Sequence, residues 1–363
     1  MLRNISLLAM LLALISPAFS QETKEEEEKK GPTISGSADV YFRYGFNRFK
    51  EDPYNSYTSF TGSHNSFELG MASVKLEHSI GKAGIVVDLG WGRRAEDFSY
   101  NDGEAAAGKN GFLSLAMLKQ LYVTYSPSDK VTLTLGSFGT HIGYEVLDAY
   151  LNRNYSMSYG FSYGPFFHTG LKADFALSGQ SGLMLGIINP SDMKTASGFP
   201  KMFIGQFTTG TSDEKLNLSF GFQGGKGDDV SRLYQGDLTG SYAINDKWSL
   251  GLNATYQSRS YKNGGDEWSD GEGWWGAALY VNADPTDWLG ITFRGEYFND
   301  DKNVVGFGTN LIVPTLSFNF KVNNLTIIPE FRFDTAGEEI FVKHDYTGTK
   351  SSGSFILAAH YRF

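Results

Sequence analysis

The 363-residue chain contains no cysteine. That absence excludes disulfides, thiolate catalysis, Cys-ligated zinc and iron–sulfur clusters. It also removes the residue a bacterial lipoprotein anchor is built on. The chain lacks a basic block as well: its formal net charge is −9, so no nucleic-acid partner is expected. Beyond residue 20 it lacks the ~18–20 uninterrupted apolar residues of a membrane-spanning helix. Hydrophobic residues amount to only 41%, a small share from which to build a helical core.

What the chain has instead is glycine and aromatic rings. There are 43 glycines, 28 phenylalanines, 20 tyrosines and six tryptophans. These types gather in strands, bulges and turns, whereas helices favour Ala, Leu, Glu and Lys. Residues 1–20, MLRNISLLAMLLALISPAFS, join an early cation (Arg3), an apolar stretch and small residues at Ala18 and Ser20. This pattern predicts a secretory signal peptide cut after Ser20. Residues 21–33, QETKEEEEKKGPT, cannot bury a core and are expected to be a disordered charged segment.

From Ile34 to Phe363 the apolar period is two. Ala38, Val40, Phe42 and Tyr44 share one face, with Ser37, Asp39, Tyr41 and Arg43 on the other. Sixteen such segments are predicted, at 34–48, 66–80, 83–94, 115–127, 130–139, 166–178, 181–189, 201–209, 215–223, 232–244, 247–259, 273–284, 287–299, 311–322, 325–334 and 353–363. The pattern is weakest at 201–209 and at 66–80, where the phase slips between Met71 and Val74. Long connectors (49–65, 95–114, 140–165, 190–200, 224–231, 260–272, 300–310, 335–352) alternate with tight turns such as Gly81-Lys82, Asn245-Asp246 and Asn323-Asn324. Sorting loops to one rim and turns to the other is what an up-and-down barrel does. The predicted fold is therefore all-β, a transmembrane antiparallel barrel of about 16 strands over 34–363, within a range of about 14–18.

Two features orient the faces. Trp91, Tyr256, Trp275 and Tyr297 fall near the long-loop ends of their segments; Tyr125, Trp248, Trp288, Tyr361 and Phe363 fall near the tight-turn ends. Rings in two belts match the two membrane–water interfaces. The opposite face carries Asp39, Arg43, Glu77, Asp88, Lys172, Asp174, Asp237, Arg294, Glu296, Glu330, Arg332 and His360. So many ionisable groups are costly in a dry interior, so they are expected to line a water-filled lumen, which a barrel of this size can hold. The mixed signs predict at most mild cation preference.

The last strand reads Phe355-x-Leu357-x-Ala359-x-Tyr361-x-Phe363. Its terminal aromatic is similar to the signal read by the barrel assembly machinery of Gram-negative bacteria, with Phe355, Tyr361 and Phe363 as the residues concerned. The segment Lys130–Thr140 (KVTLTLGSFGT), then His141-Ile142-Gly143-Tyr144-Glu145, Asn152, Asn154-Tyr155-Ser156 and Gly164-Pro165-Phe166-Phe167-His168-Thr169-Gly170, resembles the β-barrel porin family called OmpL-like or porin-2, common in Bacteroidetes. The resemblance implies an outer-membrane barrel and a pore, and brings no catalytic residues.

The connector 140–165 is the longest. Loops of this size often carry a function. Folded inward, it would place Glu145, Asp148, Arg153 and His168 at a constriction; packed on the rim, it would not. Gly143–Tyr150 has weak helical character. No catalytic residue, cofactor or metal ligand is assigned. His141 and His168 lack a matching serine or a specific acidic spacing for a barrel hydrolase. Asp266–Glu272 does not fit a calcium loop, and Gly224–Asp229 is not a phosphate loop. The expected function is passive diffusion of small hydrophilic solutes or ions across the outer membrane. The alternatives are a non-conducting barrel acting as adhesin, receptor or structural component, and a barrel hydrolase. Lipid, lipopolysaccharide, the assembly machinery and a second copy of the chain are the expected partners.

Overall fold

The structure, a computed structural model, describes residues 31–101, 115–264 and 267–363. The signal peptide and most of the charged segment expected after it lie outside the described residues, as does Asp266. The barrel belongs to the unit Pro32–Phe363.

Its strands are β1 (Thr33–Gly45), β2 (Ser66–Ile80), β3 (Ala83–Trp91), β4 (Leu118–Ser128), β5 (Val131–Gly139), β6 (Phe167–Ala176), β7 (Gly182–Ile188), β8 (Met202–Gly210), β9 (Leu216–Lys226), β10 (Ser231–Asn245), β11 (Trp248–Tyr261), β12 (Glu272–Thr286), β13 (Leu289–Asn299), β14 (Asn310–Val322), β15 (Leu325–Ala336) and β18 (Ser351–Arg362). β16 (Phe341–Val342) and β17 (Gly348–Thr349) form a small separate hairpin in the last loop. The sixteen wall strands close into one antiparallel barrel, each paired with its chain neighbour and β1 sealed to β18 from Ser37↔Arg362 to Gly45↔Ser354. Closure leaves no edge with unpaired backbone groups, which lipid would not tolerate.

Side-chain alternation sets the two faces. Along β13, Ile291, Phe293 and Tyr297 stand outward while Thr292, Arg294, Glu296 and Phe298 are buried within the barrel. On β1, Val40 is exposed outside, and Ser37, Asp39, Tyr41 and Arg43 are buried inside. Trp91, Trp275 and Tyr256 toward the loop rim, and Trp248, Trp288, Tyr361 and Phe363 toward the turn rim, are exposed on the outer surface. Trp275 packs on Tyr297 at 5.0 Å between ring centroids, and Trp288 stacks on Phe320 at 6.2 Å.

Several local details differ from the periodicity. β1 begins at Thr33, one residue before the expected start. The phase slip in β2 is a bulge: Asp39 pairs with Met71 and Val40 with Leu69, leaving Gly70 unpaired. A Cβ at Gly70 would overlap the Asp39 carboxylate, so the bulge and the absent side chain serve one cluster. β9 runs on to Lys226, which shrinks the expected connector 224–231 to 227–230. That loop is shorter than the turn at 177–181, so loop length alone does not mark the rim. Residues 93–94, read as strand, instead open a short helix, Arg93–Phe98. Pro314 and Pro329 lie within strands that have neighbours on both sides. The β14–β15 pairing skips Val313–Pro314 and Phe318–Asn319, where a missing N–H breaks the ladder.

Candidate functional site

The loop 140–166, here L3, enters the barrel rather than covering its rim. Its helical turns lie at Ala149–Leu151 and Tyr159–Ser162, later than the expected Gly143–Tyr150. Asn152 fixes the first bend by accepting from Val146 N at 3.0 Å and donating to Val146 O at 2.6 Å. Ser158 caps the second turn, its Oγ accepting from Phe161 N at 3.1 Å, a donor the helix leaves unpaired.

Strand residues on the inner face then hold L3 along its length. Arg294 donates to Glu145 Oε1 at 2.5 Å and to Ser156 O at 2.7 Å. Glu145 Oε2 accepts from Ser158 N and Oγ at 2.7 and 2.8 Å. Glu330 accepts from Tyr155 N at 2.7 Å, Ser156 N at 3.0 Å and Ser317 Oγ at 2.7 Å. Arg332 bridges Asp334 at 2.8 Å and Met157 O at 2.6 Å. Glu296 accepts from Gly160 N at 2.9 Å. On β1, Asp39 accepts from Tyr155 OH at 2.6 Å and faces Arg94 Nε at 3.8 Å. Asp88 and Asp148 share Lys119, at 3.1 and 2.6 Å. Arg153 reaches the turn end of the lumen, donating to Asp284 at 2.9 and 3.0 Å and to Thr292 Oγ1 at 2.9 Å. Asp237 accepts from Gly143 N at 3.0 Å and Asn253 at 2.8 Å.

Most of the twelve inward ionisable residues are therefore buried against protein, which corrects the expectation that all of them face water. Arg43 donates to Tyr54 O and Ser63 O of the first loop, and His360 is buried. Glu77, paired with Lys75 at 2.8 Å, and the pair Lys172–Asp174 at 2.7 Å keep partial exposure. Buried charges are tolerated because each has a partner or several N–H donors. His168 stands on β6, within the segment expected as strand, beside the start of L3; its Nε2 lies 3.1 Å from Thr140 Oγ1.

The sequence reading missed the apolar content of the interior. Tyr159, Trp274, Phe298, Leu311, Val313 and Phe341 form one cluster, and Phe60, Met71, Phe98, Met157, Phe161 and Phe167 another. Tyr155 lies on Tyr41, Ile328 and Ile356 in a third. It also missed the partners Arg94, Lys119, Asp284 and Asp334. Asp334 was within reach, because it continues the inward register of Glu330 and Arg332. Arg94 and Lys119 sit where strand gives way to loop, and no spacing marks them.

Space remains on the side away from most of these anchors. A cavity of about 660 Å³ near the loop rim is lined by Tyr100, Tyr163, Phe166, Asp192, Met202, Gln223, Gln257 and Arg259, among others. A second, of about 270 Å³, opens near the turns and is lined by Thr132, Asp174, Met184, Gln206 and Thr208, among others. Gln223, Gln235 and Gln257 form a hydrogen-bonded ladder on the wall of the larger one. Arg259 Nε donates to Gln257 Oε1 at 2.7 Å. Among the described residues no group of three or more His, Asp or Glu is placed to hold a metal ion.

Solved structures share this architecture. The outer membrane channel DcaP of Acinetobacter baumannii aligns with TM-score 0.61 at 11% identity, covering 92% of this chain and 97% of that one. The anion-selective porin from Comamonas acidovorans aligns with TM-score 0.60 at 10% identity, covering 92% and 99%. The outer-membrane OmpT of Vibrio cholerae gives 0.58 at 10%, covering 93% and 99%. Identities this low speak to the fold alone. No curated protein matches the chain. The family model described as "Putative beta-barrel porin-2, OmpL-like" matches residues 31–363, and the chain belongs to that family.

Proposed function

We propose that this barrel is an outer-membrane pore through which small hydrophilic solutes diffuse passively, narrowed by L3. The observation that carries this reading is the lopsided filling of the lumen. Most of the anchors of L3 stand on β12–β15 and β1, with single ties to Lys119 on β4 and Asp237 on β10, and both cavities lie along β5–β11. Selectivity then follows from the dimensions and lining of what is left open, without a catalytic step. In this reading the first 20 residues direct export from a Gram-negative cytoplasm. Phe355, Tyr361 and Phe363 present the assembly signal, and outer-membrane lipid and lipopolysaccharide surround the wall. Deletion of 146–158 tests the role of L3: single-channel conductance in a planar bilayer should rise, and an unchanged current would exclude L3 as the constriction.

A second reading, a plugged barrel serving as adhesin or receptor, draws on the apolar clusters inside the lumen. Folded protein that stays silent in the bilayer and impermeable to neutral solutes would favour it.

A further inference from the structure

The larger cavity lies at the loop rim, where Tyr100 and Tyr261 of its lining stand half exposed. Behind it runs the glutamine ladder of β9, β10 and β11, each side chain no more than 2% exposed. Ser191 Oγ donates to Gln223 Oε1 at 2.6 Å, and the Nε2 groups of Gln223 and Gln257 both donate to Gln235 Oε1, at 2.8 and 3.1 Å. Gln257 Oε1 accepts from Trp274 Nε1 at 3.2 Å as well as from Arg259 Nε. The amide planes are thereby fixed, yet an amide nitrogen carries two N–H groups, so Gln223 and Gln257 each keep one that no described protein atom takes. Arg259 is held by Nε alone; among the described residues neither of its terminal amino groups has a protein partner. The tyrosines beside this array have their hydroxyls committed elsewhere. Tyr163 OH donates to Tyr57 O at 2.9 Å, and Tyr100 OH to Asp192 Oδ2 at 3.2 Å. Phe166 stands edge-on to Tyr100 at 6.1 Å. What these residues present to the cavity is therefore ring surface held in place. The three carboxylates of the lining are tied to backbone N–H groups: Asp192 to Phe166 and Phe167, Asp228 to Val230 and Ser231, and Asp97 to Phe60.

We infer that this rim cavity is a binding site for a neutral saccharide. The inference rests on the diffusion reading above, whose solute class it names. The open polar groups are donors: the Arg259 amino groups and the spare amide N–H of Gln223 and of Gln257. They call for acceptor oxygens, which excludes a cation that has none to give. An anion would supply acceptors, but it would enter a lining of three carboxylates against two guanidinium groups, those of Arg232 and Arg259, and like charges repel at this range. Uncharged hydroxyl and ether oxygens satisfy the donors without that repulsion, and a hydroxyl also donates to whatever carboxylate lone pair it meets. The rings narrow the class further. A sugar ring has a C–H face that packs on an aromatic surface and an edge of hydroxyls that reaches planar amides and a guanidinium. A small neutral amide lacks the face, and an apolar solute lacks the edge. The volume, about 660 Å³, falls within the range of small-molecule sites that combine aromatic walls with a few placed polar groups.

Calorimetric titration of the full refolded barrel, in a detergent without a sugar headgroup, tests the site with glucose, maltose and cellobiose. Glucuronate and glucosamine, which put a carboxylate and an ammonium on the same ring, are the charged comparators. The neutral sugars should bind, glucose at least about fivefold more tightly than either charged analogue. Arg259→Gln should weaken maltose at least about tenfold, the loss of hydrogen bonds from a charged donor. Tyr100→Phe and Tyr100→Ala both lose the bond to Asp192, but only the second loses the ring. Maltose should therefore bind Tyr100→Phe like wild type and Tyr100→Ala at least about threefold more weakly. Heat-modifiable gel mobility reports folding, and the tyrosine pair carries the test should Arg259→Gln fail to fold. Charged analogues that bind as tightly as glucose, equal loss in both tyrosine variants, or no sugar binding by a barrel that conducts in a bilayer overturns the saccharide site and leaves passive diffusion standing. Sugar binding by a folded barrel that passes no current keeps the site and overturns the diffusion reading.

Discussion

On the wall built by β12–β15 and β1, inward carboxylates and guanidinia are occupied by L3, set among apolar groups such as Trp274, Phe298, Val313 and Ile328. On the wall built by β5–β8, Phe138, Met184, Ile188, Met202 and Ile204 form one inward apolar cluster, and Gln206 of that wall donates to His141 O at the start of the loop. The strands differ too: β12 and β14 run 15 and 13 residues, β7 only seven. Charges in the first wall act as fixings. They are directional and costly to leave unpaired, so they hold one loop conformation. A wall that a solute must slide along has the opposite requirement, since a group that binds strongly also retains. The difference teaches that the ionisable residues of the first wall chiefly position L3; in the diffusion reading proposed above, selectivity then belongs to the half with few charges.

The sharpest way to break the comparison is to unfasten the charged half. Arg294→Ala leaves Glu145 buried without its guanidinium, and loss of one partner of such a pair typically costs ~3–5 kcal/mol. Guanidinium unfolding of the refolded barrel should show a loss of that order. The bilayer should show a larger and noisier current as L3 comes loose. Adding Glu145→Gln to Arg294→Ala removes the stranded charge and should recover part of the stability but not the closed state. Equal stability of wild type and Arg294→Ala would mean the pair is not a fixing.

A smaller effect is expected at the other end of the loop. Tyr155→Phe removes the hydroxyl that donates to Asp39 at 2.6 Å and leaves that carboxylate with Arg94 and the Met71 backbone. A lost buried hydrogen bond to a charged group costs ~1.5–3 kcal/mol. The same melts read it, with conductance rising less than in Arg294→Ala because the Glu145 and Glu330 contacts persist. Gly70→Ala attacks the same cluster from beneath and should be at least as damaging as Tyr155→Phe.

The upper cavity provides a pH-dependent contrast. Asp192, in the loop 189–201, is buried, and burial pushes its carboxyl up to about 6 although Phe167 N, Phe166 N and Tyr100 OH donate to it. The folded state therefore takes up a proton, as pH falls through about 6, that the unfolded chain accepts only near 3.8. This contribution to stability is fully present below the lower value and lost as pH rises through the upper one. Asp192→Asn should flatten stability against pH between those limits. A wild-type profile already flat there would show that Asp192 ionises normally.

What was legible in the sequence follows the same division. Alternation such as Thr292-Phe293-Arg294-Gly295-Glu296 states which face is which, because only one of the two faces is apolar. In β7 and β8 both faces are apolar: Leu183, Met184 and Leu185 follow one another, and so do Met202, Phe203 and Ile204. Periodicity cannot say there which residue faces outward and which faces the interior. The fixings of L3 were legible as residue types but not as pairs. Glu145 and Arg294 are 149 positions apart, and nothing local to either names the other. The helix at Arg93 escaped for a related reason: Arg94 turns inward to meet Asp39 on β1, a partner nothing local to it names.

The smallest expected effect is the most direct check on the division, because it applies the first perturbation to the other wall. Lys172→Met on β6 strands Asp174 just as Arg294→Ala strands Glu145. Here, however, both partners keep contact with solvent, with side-chain exposures of 21% and 42%. Water takes over the solvation of the abandoned carboxylate, and pairs of this kind are worth ~0–1 kcal/mol. The melt should barely move. L3 should stay in place, since no fixing has been removed, and the closed-state current should keep its wild-type noise. A loss approaching that of Arg294→Ala would mean that the β5–β8 wall is held by charge after all.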